Sequence, residues 1–247
     1  MRERKTIDGR MLTRIARDYS RDGYRVVPSP FDAVEVEAWK EECGRLAAGL
    51  ATADGEDRRI QSRGHRIQGV VRDRYDPVTD FSPLFRALAA DSRLRSIAAA
   101  VLGADPVPFK DRLILKAAGT EGYGLHLDWP YWEWVGIPPD EIATLMLSVD
   151  PTGERNGAIE VFPGLHHSSL PPSPDDPLDL DPKAVEGLEG RIAATAAGDV
   201  LLLHPMAPHR SGPNLSGGSR RIVSFIYASH RHAGARERYY AEYAGHD

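Results

Sequence analysis

A chain of 247 residues, 41% apolar and 27% charged with a formal net charge of −5, reads as one globular domain or two small ones with a sizeable core. The mild acidity gives no charge-based reason to expect a nucleic-acid or membrane-surface partner, no apolar run approaches the roughly 18 residues of a spanning helix, and the charged start MRERKTIDGR has no signal-peptide pattern. Cys43 is the sole cysteine and cannot close an internal disulfide, so a reducing, cytoplasmic setting is expected.

In chain order, Met11, Leu12, Ile15 and Ala16 recur at helical spacing over residues 9–20, and Gly23 follows as a stop. Tyr24 to Pro28 reads as a short strand. Asp32 caps a helix running to about residue 50, with Val34, Ala38, Cys43 and Leu46 on its apolar side. Residues 58–74 hold Arg58, Arg59, Arg63, Arg66, Arg72 and Arg74, offset there only by Asp73. The run reads as a solvated loop, or as a flap that carries positive charge towards an anionic substrate or cosubstrate. Two helices are expected over 82–90 and 92–102.

From residue 107 the periodicity shortens, and strands fit 109–117, 123–128, 142–150, 157–162, 198–203 and 220–228. Asn156-Gly157 and Pro163-Gly164 punctuate the turns, and the Pro/Asp-rich stretch 170–182 is an exposed loop. Helices first and short strands second make an α+β unit. It is divided here into a helical part over about 1–106 and a β part over about 107–230, within one domain spanning 1–247.

His126-Leu127-Asp128 carries the chemistry. On an extended strand, residues two apart project from the same face. A distal histidine would complete two imidazoles and one carboxylate, the set that leaves open positions on a non-haem Fe(II). His204 and His209 both flank the end of a strand. His209 is preferred because it heads the turn Ser211-Gly212-Pro213-Asn214 that leads into Arg220, whose guanidinium fork suits a carboxylate. Beyond the ligands, Trp129-Pro130-Tyr131-Trp132-Glu133-Trp134 holds three of the four tryptophans and reads as core or as a pocket wall. Tyr131, Trp132 and Arg66 are the substrate-facing candidates, which suggests a small, polar, anionic substrate in an aromatic-walled pocket.

Five segments in order resemble the phytanoyl-CoA dioxygenase group of Fe(II)/2-oxoglutarate oxygenases, which includes ectoine hydroxylase. They are Asp22 to Pro28, Lys116, His126-Leu127-Asp128, Asn156 to His166, and His209 through Arg220. The fourth reads Pro-Gly-Leu-His where the group usually has Pro-Gly-Ser-His. The resemblance implies a double-stranded β-helix, a cupin-like jelly roll, backed by the N-terminal helices. It also implies Fe(II) on His126, Asp128 and His209, and 2-oxoglutarate on Arg220 and Ser211 with Lys116 nearby. O2 is the oxidant, and succinate and CO2 are released. An aspartate at position 128, where related halogenases have Ala or Gly, favours hydroxylation or another oxygenase outcome such as desaturation, ring closure or demethylation. A zinc-type hydrolase on the same three ligands and a catalytically silent jelly-roll binder are the alternative readings.

Overall fold

The computed structural model describes residues 7–52 and 57–243. Helix α1 (Gly9–Asp22) starts where the Asp8 carboxylate accepts the Met11 amide and ends at Gly23, whose φ of 77° lets the chain turn into β1 (Tyr24–Val27). Helix α2 (Ala33–Thr52) is capped reciprocally, since Asp32 accepts the Val34 and Glu35 amides while the Glu35 carboxylate accepts the Asp32 amide. Its buried stripe runs Val36, Trp39, Cys43, Leu46 and Leu50. Val34, expected on that side, is 78% exposed, because the three-and-four spacing is kept only when the stripe starts at Val36. Helices α3 (Pro83–Ala89) and α4 (Ser92–Leu102) lie where the sequence suggested.

The remaining elements are β2 (Ile60–His65), β3 (Gly69–Tyr75), β4 (Pro106–Lys116), β5 (Tyr123–His126), β6 (Ile142–Ser148), β7 (Ile159–Val161), β8 (Arg191–Ile192), β9 (Val200–Leu203), β10 (His209–Ser211), β11 (Arg220–Ser229) and α5 (Ala235–Tyr243). They form two antiparallel sheets, one ordered β1-β9-β6-β11-β4-β3-β2 and the other β5-β10-β7-β8. This is the jelly-roll arrangement of a large sheet facing a small one.

Period-two alternation assigns the two faces of the large sheet. Leu113, Leu115, Leu145, Leu147, Val223 and Phe225 pack outward against residues of the helices, including Tyr19, Trp39 and Leu94. The residues between them turn inward: Met146, Leu201, Leu203 and Ile222 meet Val161 of the small sheet. The helices therefore back the large sheet and leave the interior of the roll for the site.

Two expectations are corrected. The arginine run is a β-hairpin, not a loop: β2 pairs with β3, and β3 pairs with β4, so the hairpin extends the large sheet. Its residues do not alternate in polarity because the hairpin lies beside the site rather than over a dry core. The strand after Tyr123 stops at His126, short of residue 128. Asp128 has helical backbone angles and leads into a 3-10 turn over Trp129–Tyr131 that includes Pro130.

Candidate metal and cosubstrate site

β5 and β10 are neighbours in the small sheet, and their register places His126 directly opposite His209. The two rings lie 4.2 Å apart, centre to centre. The bend after His126 brings Asp128 to the same spot and is fixed by the Asp128 and Trp129 amides, which both donate to the Pro205 carbonyl at 2.9 and 3.0 Å. One ligand atom from each of His126, Asp128 and His209 lies within 4.8 Å of the others.

Protonation is set by the backbone. The Nδ1 of His126 lies 2.8 Å from the Gly124 carbonyl and that of His209 lies 2.9 Å from the Ala207 carbonyl. A carbonyl can only accept, so each Nδ1 carries a proton and Nε2 is the ring nitrogen left to serve as a ligand. Burial, and then the neighbouring His126, push the His209 pKa down to about 4, so this ring is neutral at physiological pH. Burial raises the Asp128 pKa, but His209, Arg112 and His126 outweigh it and hold the carboxyl below its ordinary value. One Asp128 oxygen lies 3.6 Å from Arg112, and the other is buried without a hydrogen-bond partner. Two imidazoles that turn Nε2 to one spot and a carboxylate with an unused oxygen are a donor set that fits a divalent cation.

Arg220 begins β11 directly opposite Lys116 on β4. Its side chain is 1% exposed, and its Nε and Nη1 have no hydrogen-bond partner. Burial lowers its pKa to about 10. A buried guanidinium without partners is costly unless an anion completes it. A small cavity walled by Ile114, Met146, Ile159 and Ile222 joins Arg220 to His126 and His209. Apolar walls that end on a buried guanidinium have the chemistry to hold the methylenes and one carboxylate of a dicarboxylate. Ser211 is buried and its hydroxyl accepts from Lys116 Nζ at 3.2 Å, which places both beside Arg220's end of the roll. Burial and the nearby Arg220 and Arg63 lower the Lys116 pKa to about 7.

A second, wider cavity of about 450 Å³ opens on the other side of His126 and Asp128. Tyr131, Trp132 and Trp134 line it, while Trp129 of the same segment packs on the buried cluster around Phe109. Trp132 also packs edge-on against Phe109 in a small buried cluster, so it is wall and core at once. Arg66 is not among the lining residues. It sits in the turn between β2 and β3, with a half-exposed side chain 3.8 Å from Glu121. Arg63 and Arg74 of the same run, together with Arg112, face the cavity instead. Arg112 alone has a sequence signal, the inward row Lys110, Arg112, Ile114, Lys116 at period two on β4. His204 is not among the grouped ligands: it is buried, packed against the Tyr19 and His166 rings, and hydrogen-bonded to Asp140 and to the Met206 amide.

A double-stranded β-helix with two histidines and an aspartate at its mouth, and a buried arginine deeper inside, belongs to the class of Fe(II)/2-oxoglutarate-dependent oxygenases. The model of the phytanoyl-CoA dioxygenase (PhyH) family matches residues 19–222, and the chain is a member of that family. Methylphosphonate hydroxylase of Gimesia maris is 24% identical over 224 residues, covering 91% of this chain and 83% of its own. Ectoine dioxygenase of Sphingopyxis alaskensis is 29% identical over 177 residues, covering 69% of this chain and 56% of its own. Among solved structures, EctD from S. alaskensis with 2-oxoglutarate and 5-hydroxyectoine superposes with a TM-score of 0.76 at 24% identity, covering 87% of this chain and 75% of that one. The epimerase SnoN, in complex with Fe3+, alpha-ketoglutarate and nogalamycin RO, gives 0.72 at 25% identity, covering 90% and 85%.

Proposed function

We propose that this dioxygenase hydroxylates an unactivated C–H bond of a small polar metabolite or natural-product intermediate, consuming 2-oxoglutarate and O2 and releasing succinate and CO2. The observation that carries the reading is the pairing of a three-ligand set with an unpartnered buried arginine across one narrow cavity. In this reading His126, Asp128 and His209 hold Fe(II), which supplies O2 activation when bound. Arg220 holds the far carboxylate of 2-oxoglutarate, Ser211 adds a hydrogen bond, and Lys116 adds positive charge. The isoleucine and methionine walls exclude water along the cosubstrate, and Tyr131 and Trp132 contact the substrate.

Asp128 supports hydroxylation over halogenation, since its carboxylate fills a position that a halide would need. Names of relatives built on methylphosphonate and ectoine support a small polar substrate. No helix among the described residues is long and apolar enough to cross a membrane. The buried, unpaired Cys43 supports a reducing, cytoplasmic setting, with the whole chain acting as a single catalytic unit. A succinate-release screen across small polar acids, amino acids and pathway intermediates tests the reading. Turnover-linked succinate with at least one of them is the expected result, and hydrolysis products formed without O2 would contradict it.

A further inference from the structure

Three arginines outside the metal-ligand set face the wide cavity beside His126 and Asp128, and one of them, Arg112, also lines the narrow cavity that leads to Arg220. They come from three adjacent strands, Arg63 on β2, Arg74 on β3 and Arg112 on β4. Each has its Nε buried without a hydrogen-bond partner. Arg63 is anchored by donating from Nη1 to the Gly122 carbonyl at 3.0 Å and by lying 3.4 Å over the Tyr123 ring, and Arg74 lies 5.6 Å from the same ring. These contacts orient the guanidinium planes and leave the Nε–H donors unspent.

The neighbouring carboxylates pair with these cations at ion-pair distance but form no hydrogen bond to their Nε atoms. Asp73, the extra residue of the bulge where Gln61 pairs with Arg74 and Ser62 with Arg72, lies 3.8 Å from Arg63 Nε and 4.0 Å from Arg74 Nε. Neither of its oxygens makes a hydrogen bond. Asp128 is 3.6 Å from Arg112 but belongs to the metal set. The other lining carboxylates are engaged, Asp76 with Lys110 and Asp179 with the Tyr131 hydroxyl at 3.0 Å. Buried donors without acceptors are costly, and these three arginines line the same cavity as Tyr131, Trp132 and Trp134.

We infer that Arg63, Arg74 and Arg112 form an oxyanion-binding wall that takes the phosphonate or carboxylate head of the substrate and turns its C–H-bearing end towards His126 and Asp128. Three guanidinium groups around one cavity suit the three oxygens of a phosphonate, and any one guanidinium fork suits a carboxylate. The inference rests on the oxygenase reading and assigns the substrate class for that same site.

The test is calorimetric titration of the protein, loaded anaerobically with Fe(II) and saturating 2-oxoglutarate so that Arg220 is occupied. The probes are methylphosphonate, acetate and the neutral control acetamide. A parallel series on metal-free protein judges the wall even if the 2-oxoglutarate-dependent visible band never forms, which is the failure specific to the oxygenase reading. Expected is saturable binding of at least one anion, weakened at least about tenfold in Arg63→Gln and in Arg74→Gln and unchanged in Arg66→Gln. Preference for methylphosphonate or for acetate identifies the head group. Wild-type affinity should also fall as salt rises, a readout that does not depend on any variant folding. Equal binding of acetamide, salt-independent binding, or unchanged affinity in folded Arg63→Gln and Arg74→Gln would overturn the proposal.

Discussion

Replacing Arg220 with glutamine separates a residue kept for a ligand from one kept for the fold. In the native protein the guanidinium is 1% exposed, and its Nε and Nη1 lack partners. Charge-assisted hydrogen bonds contribute about 1.5–3 kcal/mol each, so losing a two-pronged carboxylate contact should cost about 3–4 kcal/mol and raise the 2-oxoglutarate Kd about 100- to 1,000-fold. Without ligand the sign reverses. Burial lowers the Arg220 pKa from 12.5 to about 10, which corresponds to about 3 kcal/mol of destabilisation. Neutral pH lies below both values, so that cost is present in full at pH 7 and fades only as pH rises through about 10. Ligand-free Arg220→Gln should therefore be as stable as the native protein or up to about 3 kcal/mol more stable, and only the native protein should gain stability from 2-oxoglutarate. Calorimetric binding with Mn(II) in place of iron, together with chemical denaturation with and without 2-oxoglutarate, reads both effects. A variant that keeps 2-oxoglutarate affinity within about threefold while losing stability would refute the reasoning.

Other outcomes follow from the same geometry. Lys116, with its pKa lowered to about 7 by burial and then by Arg220, should take up a proton when the cosubstrate dianion binds above neutrality. Affinity should therefore weaken from pH 7 to 9, and Lys116→Met should abolish both this slope and the buffer-dependent binding heat. Because the unfolded chain keeps the Lys116 proton up to its ordinary 10.5, native ligand-free stability should rise over the same range relative to that variant. A Cβ on Gly122 would sit 2.0 Å from the Ser211 carbonyl oxygen, so Gly122→Ala should prise β5 from β10, cost about 3 kcal/mol of stability and weaken Fe(II) binding by calorimetry. Trp134, 43% exposed on the cavity rim, should lower turnover when changed to alanine with little change in Tm, whereas Arg66→Ala at the hairpin turn should leave turnover within about twofold.

What the sequence made legible was the part whose chemistry admits few residue types. A ferrous donor set and a carboxylate clamp need His126, Asp128, His209 and Arg220, and each stands in a short local motif. The four helices before β4 were also readable, because capping and helical periodicity are local signals. The hairpin β2–β3 was not. Its strands carry arginines where alternation should be, and they hold because β3 pairs with β4 about forty residues away. Which arginine faces the cavity depends on the bulge at Asp73, a non-local register that no spacing rule contains, and so Arg66 was favoured over Arg63 and Arg74. Strands β8 and β10, of two and three residues, are too short to carry a period, and α5 has no polarity pattern to mark it.

The central claim is that His126, Asp128 and His209 hold Fe(II) beside a 2-oxoglutarate anchored on Arg220. Anaerobic titration of Fe(II) and then 2-oxoglutarate, followed by visible absorption, tests it most directly. The native protein should develop a weak charge-transfer band that saturates with one 2-oxoglutarate per iron, and His209→Ala and Asp128→Ala should not. A native spectrum indifferent to 2-oxoglutarate, or a band that survives unchanged in His209→Ala, would contradict the account.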